Sequence, residues 1–166
     1  FDHLDIQAID ALTEERTMVF SDHTSAEKMN SKRVTVMKPG KEIILFGNIK
    51  VETIAAYNTT EAHTQFHPKE REDCGYIFNI GGSRIYVSGD TENTSEMKSL
   101  KDIDVAFLPV NQPFTMTVDE ALDAIKAIHP KVFYPYHYGG TDQKTDINRL
   151  TEEGKKYTDV RIRNME

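Results

Sequence analysis

Residues 75–91 read Gly-Tyr-Ile-Phe-Asn-Ile-Gly-Gly-Ser-Arg-Ile-Tyr-Val-Ser-Gly-Asp-Thr. Gly75 to Ile80 and Arg84 to Val87 have the aromatic and β-branched content of strands, and Gly81-Gly82-Ser83 between them is hairpin-turn chemistry. The second strand stops abruptly at Ser88-Gly89-Asp90-Thr91. Two other segments stop in the same way. Lys131 to Tyr136 reads as a strand and ends at His137-Tyr138-Gly139-Gly140, and Asp2-His3 stands directly before a helical apolar periodicity of Leu4, Ile6, Ile9 and Leu12. Side chains at element ends can converge on one site, and glycine lets backbone approach it closely. Imidazole and carboxylate without thiolate is the ligand set of Zn, Mn or Fe. Taken singly, an Asp after a Gly is an ordinary turn residue and a lone His an ordinary surface or core residue. The combination is what is specific.

Outward from this core, Thr17 to Phe20 reads as a short buried strand ended by Ser21-Asp22-His23. Thr24-Ser25-Ala26-Glu27 has capping-box spacing, which predicts a helix to about Asn30 with His23 just before the cap. Val34 to Met37 and Glu42 to Phe46 read as two strands joined by a tight turn at Lys38-Pro39-Gly40-Lys41, and Val51 to Tyr57 as a third strand. Residues 58–73 are polar and aperiodic and hold His63 and His67; a loop of that length is expected to be functional or disordered. Asn93 to Leu100 predicts a short helix and Val105 to Val110 a buried strand. Thr117-Val118-Asp119-Glu120 is a second capping box, followed by Val118, Ala121, Leu122, Ile125 and Ile128 on one helical face as far as His129-Pro130. A weak helix and an edge strand at Val160 to Arg163 complete the chain. No repeat or linker divides it, so a single α/β domain over residues 1–166 is expected.

Composition sets the outer bounds. The 166 residues carry 20 Lys and Arg against 27 Asp and Glu, a net charge of −7, and basic residues form only short clusters such as Arg161 and Arg163, which argues against a nucleic-acid phosphate track. Apolar runs are far shorter than the roughly 20 residues of a membrane-spanning helix, so neither nucleic acid nor membrane is an expected partner. The one cysteine, Cys74, supplies neither a disulfide nor a Cys-x-x-Cys pair, which fits a reducing, cytoplasmic setting. A small-molecule substrate is the expected partner.

The residues at the element ends resemble a known family, the metallo-β-lactamase superfamily of metal-dependent hydrolases. Asp2-His3-Leu4-Asp5 resembles the second half of its His-x-His-x-Asp-His motif, Ser88-Gly89-Asp90-Thr91 its bridging aspartate, and Pro135-Tyr136-His137-Tyr138-Gly139 its final histidine. The wording of Ala56-Tyr57-Asn58, Phe66-His67-Pro68-Lys69, Gly75-Tyr76-Ile77, Phe107-Leu108-Pro109-Val110 and Thr115-Met116 is similar to the L-ascorbate-6-phosphate lactonase-like branch. The resemblance implies a four-layer α/β/β/α sandwich lacking its leading strands, because the first two motif histidines would precede Phe1. It also implies a truncation at the N-terminus and an exposed sheet edge through which copies could associate as a homo-oligomer.

In the implied metal site Asp90 bridges two ions, Zn or else Mn or Fe. Asp2, His3 and His137 hold the second ion and His67 the first, with His63 the alternative loop ligand. Asp2 and Asp90 are the implied catalytic residues, Asp2 orienting the nucleophile or protonating the leaving group. The activity so implied is metal-dependent hydrolysis of a small ester, lactone, amide or phosphodiester. An anionic substrate would find Lys69 or Arg71 on the loop, Tyr138 could touch it, and Thr91 could hydrogen-bond a ligand carboxylate. The competing expectation is an incapacitated or non-enzymatic metal-binding domain, because half of the first motif is absent.

Overall fold

The computed structural model describes residues 3–29, 34–139 and 141–165. Helix α1 (Ile6–Leu12) is capped by Asp5, whose carboxylate accepts from the Ala8 N–H at 3.0 Å. It is followed by β1 (Val19–Ser21), α2 (His23–Met29) and β2 (Val34–Val36). The capping of α2 differs from the Thr24 box: Asp22 accepts from the Ser25 N–H at 3.0 Å, so the helix begins at His23. An Asp two residues upstream outcompetes the threonine because it places a charged acceptor on the free N–H groups.

Strands β3 (Glu42–Leu45) and β4 (Ile49–Ala55) form a hairpin, and β5 (Cys74–Ile80) pairs antiparallel with β4. The expected β2–β3 hairpin does not form. Instead β2 pairs in parallel with β1, and β3 joins the main sheet through β4. The reason is Thr53 on β4, which captures the Pro39-Gly40 turn. Its hydroxyl donates to the Lys38 carbonyl at 2.6 Å and accepts from the Lys41 N–H at 2.9 Å, while its carbonyl accepts from the Gly40 N–H.

The chain continues through β6 (Ser83–Val87), α3 (Ser95–Lys98), β7 (Val105–Pro109), α4 (Val118–Ile128), β8 (Val132–Tyr136), α5 (Ile147–Gly154) and β9 (Asp159–Val160). The β5–β6 turn is Gly81-Gly82, both at positive φ, as a two-residue hairpin of this twist requires. Seven strands lie in the order β3-β4-β5-β6-β7-β8-β9, antiparallel as far as β6 and parallel beyond it.

One in-register row crosses this sheet: Ile77, Tyr86, Ala106, Phe133 and Val160, all buried. It packs with Met97 of α3, Leu122 and Ile125 of α4 and Leu150 of α5 to make the core. The opposite face carries Tyr76, Phe78, Ile85, Val87, Phe107 and Tyr134, each half-buried. At the β3 edge Ile44 is 71% exposed, and Phe46 just beyond it is 83% exposed. No described helix is long and apolar enough to cross a membrane.

The direction of the strands decides where chemistry can collect. Because β4 and β6 are both antiparallel to β5, they run the same way, and β7 and β8 are parallel to β6. All four therefore end at one edge of the sheet. That edge receives the 58–73 loop after β4, Asp90 after β6, the 110–117 loop after β7 and His137 after β8, an arrangement that places ligand sites of α/β sheets outside the carboxyl ends of strands.

Candidate metal centre

Asp90 reaches this edge through two close backbone approaches. A Cβ on Gly75 would stand 2.8 Å from the Ser88 carbonyl oxygen, and one on Gly89 would stand 3.2 Å from the Cys74 carbonyl oxygen. Gly89 also has φ +67. Glycine at both positions lets the end of β6 lie flat against the start of β5 and turn Asp90 inward. The Tyr136 hydroxyl donates to the Gly89 carbonyl at 2.8 Å; burial pushes that phenol up, so it stays a neutral donor.

Three imidazoles surround the Asp90 carboxylate, whose side chain is 10% exposed. His3 Nε2 is 3.0 Å and His67 Nε2 3.5 Å from Oδ2, and His137 Nδ1 is 3.5 Å from Oδ1. The rings of His3 and His137 meet edge to face at 5.1 Å. His3, Asp90 and His137 each offer a donor atom within 4.8 Å of the others. His137 sits at φ +53, and its backbone N–H donates to the Met165 carbonyl at 2.7 Å. His67 is oriented from behind, its Nδ1 lying 3.0 Å from the Phe114 carbonyl, which turns Nε2 to Asp90. Burial alone would raise the Asp90 pKa, but the imidazoles of His137, His3 and His67 outweigh it and hold the carboxyl far below the usual range. Asp90 is therefore an anion throughout the neutral range.

This donor set fits a metal ion. Asp90 Oδ1 and His137 Nδ1 are buried and have no hydrogen-bond partner among the described residues, although they face each other at 3.5 Å. Such orphaned groups are costly unless something satisfies them. Ligand atoms on one tetrahedral ion with bonds of about 2.0 to 2.1 Å stand roughly 3.3 Å apart, close to the 3.0 and 3.5 Å separations around Asp90. Of the residues expected at the site, Asp2 lies outside the described residues.

His63 does not reach Asp90. Its Nδ1 pairs at 2.9 Å with Glu92, a carboxylate only 1% exposed that also accepts from the Thr59 and Thr60 N–H groups and the Thr59 hydroxyl. Thr91 also faces elsewhere: its hydroxyl accepts from the Tyr57 N–H at 3.0 Å and lies 2.9 Å from the Tyr57 carbonyl. Tyr138 donates to the Arg163 carbonyl. Lys69 is held by Glu96 at 3.1 Å and by the Tyr57 hydroxyl, and Arg71 by Asp73 and the Phe66 carbonyl. His23 pairs with Glu27 at 3.7 Å, and His129 forms the left-handed C-cap of α4. Burial, reinforced by Asp73, Asp22 and Glu72, pushes the Cys74 thiol up to about 12, so it is no nucleophile near neutral pH.

Residues 3–137, from His3 to His137 and so spanning all four imidazole and carboxylate donors, match the family model of the β-lactamase superfamily domain. The chain belongs to the metallo-β-lactamase superfamily. Relatives within it bear the name UPF0173 metal-dependent hydrolase. The protein of Symbiobacterium thermophilum is 39% identical over 106 residues, covering 60% of this chain and 44% of that protein. The protein of Methanosarcina mazei is 31% identical over 153 residues, covering 87% of this chain and 64% of that protein. The chain thus spans about half to two thirds of the length of these relatives.

Among solved structures, a Parabacteroides distasonis protein described as a metal-dependent hydrolase superimposes with a TM-score of 0.90 at 43% identity, covering 99% of this chain and 72% of that one. A metallo hydrolase of Ignicoccus hospitalis shares the fold at 20% identity, with a TM-score of 0.75 and coverage of 96% and 70%. The superfamily fold expected from the motifs is the fold of this chain.

Glu92 and the Phe114 carbonyl were not legible as site residues. Glu92 stands two residues after Asp90, a proximity that could have drawn attention to it. A backbone carbonyl leaves no trace in side-chain chemistry.

Proposed function

We propose that this chain holds the metal centre of a metal-dependent hydrolase acting on a small ester, lactone, amide or phosphodiester. The observation that carries the reading is the convergence of His3, His67 and His137 on one buried carboxylate, with donor atoms left unpartnered between Asp90 and His137. His3, Asp90 and His137 would hold one ion, and His67 with Asp90 would hold the other. Asp2 would join the first group and serve the reacting atoms. Bound metal at such a centre supplies hydroxide near neutral pH and polarises the bond attacked. The chain's own contribution is a fixed anion at Asp90, a ring at His67 whose Nδ1 is committed to Phe114, and a backbone anchored by Tyr136.

Zinc suits the nitrogen-rich donor set, with Mn or Fe the other candidates. A lactonase-like substrate and a cytoplasmic setting belong to the same reading. Lys69 and Arg71 would have to exchange their present carboxylate partners to bind an anionic substrate. The non-enzymatic alternative is not favoured, because the similar proteins are named as hydrolases.

The test is metal analysis of the full-length protein together with a panel of ester, lactone, amide and phosphodiester substrates. His67→Ala is expected to remove one metal equivalent and most of the activity found. His63→Ala should leave metal content unchanged, since His63 is committed to Glu92. The reverse pattern would move the ligand to His63, and wild-type protein without bound metal or hydrolysis would overturn the reading.

A further inference from the structure

His67 rides on a loop, yet a ligand must be held within a few tenths of an ångström of its working position. Asn58 holds it, together with the edge-to-face packing of the neighbouring Phe66 ring on Phe114 at 4.8 Å. The Nδ2 of Asn58 donates to the Phe114 carbonyl at 2.8 Å and to the His63 carbonyl at 3.2 Å, and its backbone N–H donates to the His67 carbonyl at 2.9 Å. Asn58 thereby grips the loop at two points and docks it on the 111–116 turn. That turn is itself knotted, the Asn111 N–H donating to the Thr115 hydroxyl at 2.8 Å and the Thr115 N–H to the Asn111 carbonyl at 2.7 Å. The Phe114 carbonyl receives both the Asn58 amide and His67 Nδ1.

Two carbonyl acceptors decide which way the amide points, and the consequence is unfavourable elsewhere. Asn58 is 2% exposed, and its Oδ1 is buried with no partner among the described residues. An orphan of that kind destabilises a fold. A residue present only for packing would not retain it, and the isosteric aspartate, lacking the N–H, could not make either bond.

We infer that Asn58 is a positioning residue that fixes the tautomer of His67, keeping its proton on Nδ1 against Phe114 so that the Nε2 lone pair faces Asp90. A neutral imidazole has one donor and one acceptor nitrogen, so anchoring Nδ1–H determines which nitrogen can bind metal. The inference rests on the metal-holding reading above for its consequence, but the tautomer itself does not need a metal.

The experiment records the imidazole 15N signature of His67 in metal-free full-length protein, wild type and Asn58→Ala, alongside Zn2+ and Mn2+ titrations in competition with a chelator. The expected results are an Nδ1–H tautomer in the wild type, a mixture of tautomers in the variant, and about 10- to 100-fold weaker binding of one metal equivalent. Losing two buried hydrogen bonds and leaving the space of the amide should lower the melting temperature of the variant by a few degrees while it stays folded, and the wild-type tautomer is read independently of that change. A wild-type His67 found with its proton on Nε2 overturns the inference without any variant. Two ions bound by Asn58→Ala with unchanged tautomer and affinity also overturn it, while supporting the metal reading. Wild-type protein that binds neither ion, yet loses the Nδ1–H tautomer on Asn58→Ala, overturns the metal reading and supports the positioning role.

Discussion

At Gly75 one added methyl group would meet backbone that cannot yield. Its position lies 2.8 Å from the Ser88 carbonyl oxygen and 3.1 Å from a ring carbon of the fully buried Tyr86. Gly75→Ala is therefore expected to push the end of β6 away from β5, lowering stability by roughly 1 to 3 kcal/mol and displacing Asp90 from the imidazoles around it. Chemical denaturation and metal titration would both register the change; a variant matching wild type in both would show that the two strands are not in such close approach. At the same scale Gly89 and Asp90 were legible as a pair, because a Gly-Asp at the end of an apolar run is visible in one dimension. The Phe114 carbonyl was not, because a backbone group acquires a role only through what lies opposite it.

Helix α4 illustrates what a single element specifies for itself. The capping box expected from Thr117 and Glu120 is present: the Thr117 hydroxyl accepts from the Glu120 N–H at 3.2 Å, and the Glu120 carboxylate accepts from the Thr117 N–H at 2.7 Å. Behind it Ala121, Leu122, Ile125 and Ile128 are buried on the expected face. Thr117→Ala should cost about 1 kcal/mol and leave metal affinity unchanged, as thermal melting and metal titration would show; loss of metal would mean that α4 bears on the site directly. Strand β2 illustrates the opposite case. Val34 to Met37 read as a strand joined by a tight turn to the next, but its partner was decided by Thr53, a residue of β4 that took the intervening turn for itself.

For the molecule as a whole, the candidate donors come from the segment before α1, the loop after β4, the end of β6 and the end of β8. Ions held by these donors link segments far apart in sequence and bind only the folded state, so they must stabilise the fold by mass action. At about 100 times the dissociation constant the gain is roughly 2.7 kcal/mol, or about 5 to 10 °C in melting temperature for a chain of this size. Adding a strong chelator to the metal-loaded protein should lower the melting temperature by that amount. Melting indifferent to the chelator would argue against an ion that binds the folded state alone.

The amino-acid sequence by itself determined what depends on neighbours along the chain. Gly81-Gly82 made the β5–β6 hairpin because glycine adopts positive φ twice in succession without strain, and Asp90 and His137 stand where glycine and turn residues close the apolar runs. Tertiary structure decided what depends on neighbours across space. The parallel run of β6, β7 and β8 brought Asp90 and His137 to one edge, and Glu92 took His63 away from that edge while Asn58 and Phe114 turned His67 toward it. The physical reason is that a hydrogen-bond partner many residues away competes on equal terms with a near one once the chain is compact, and linear spacing does not record which of them wins.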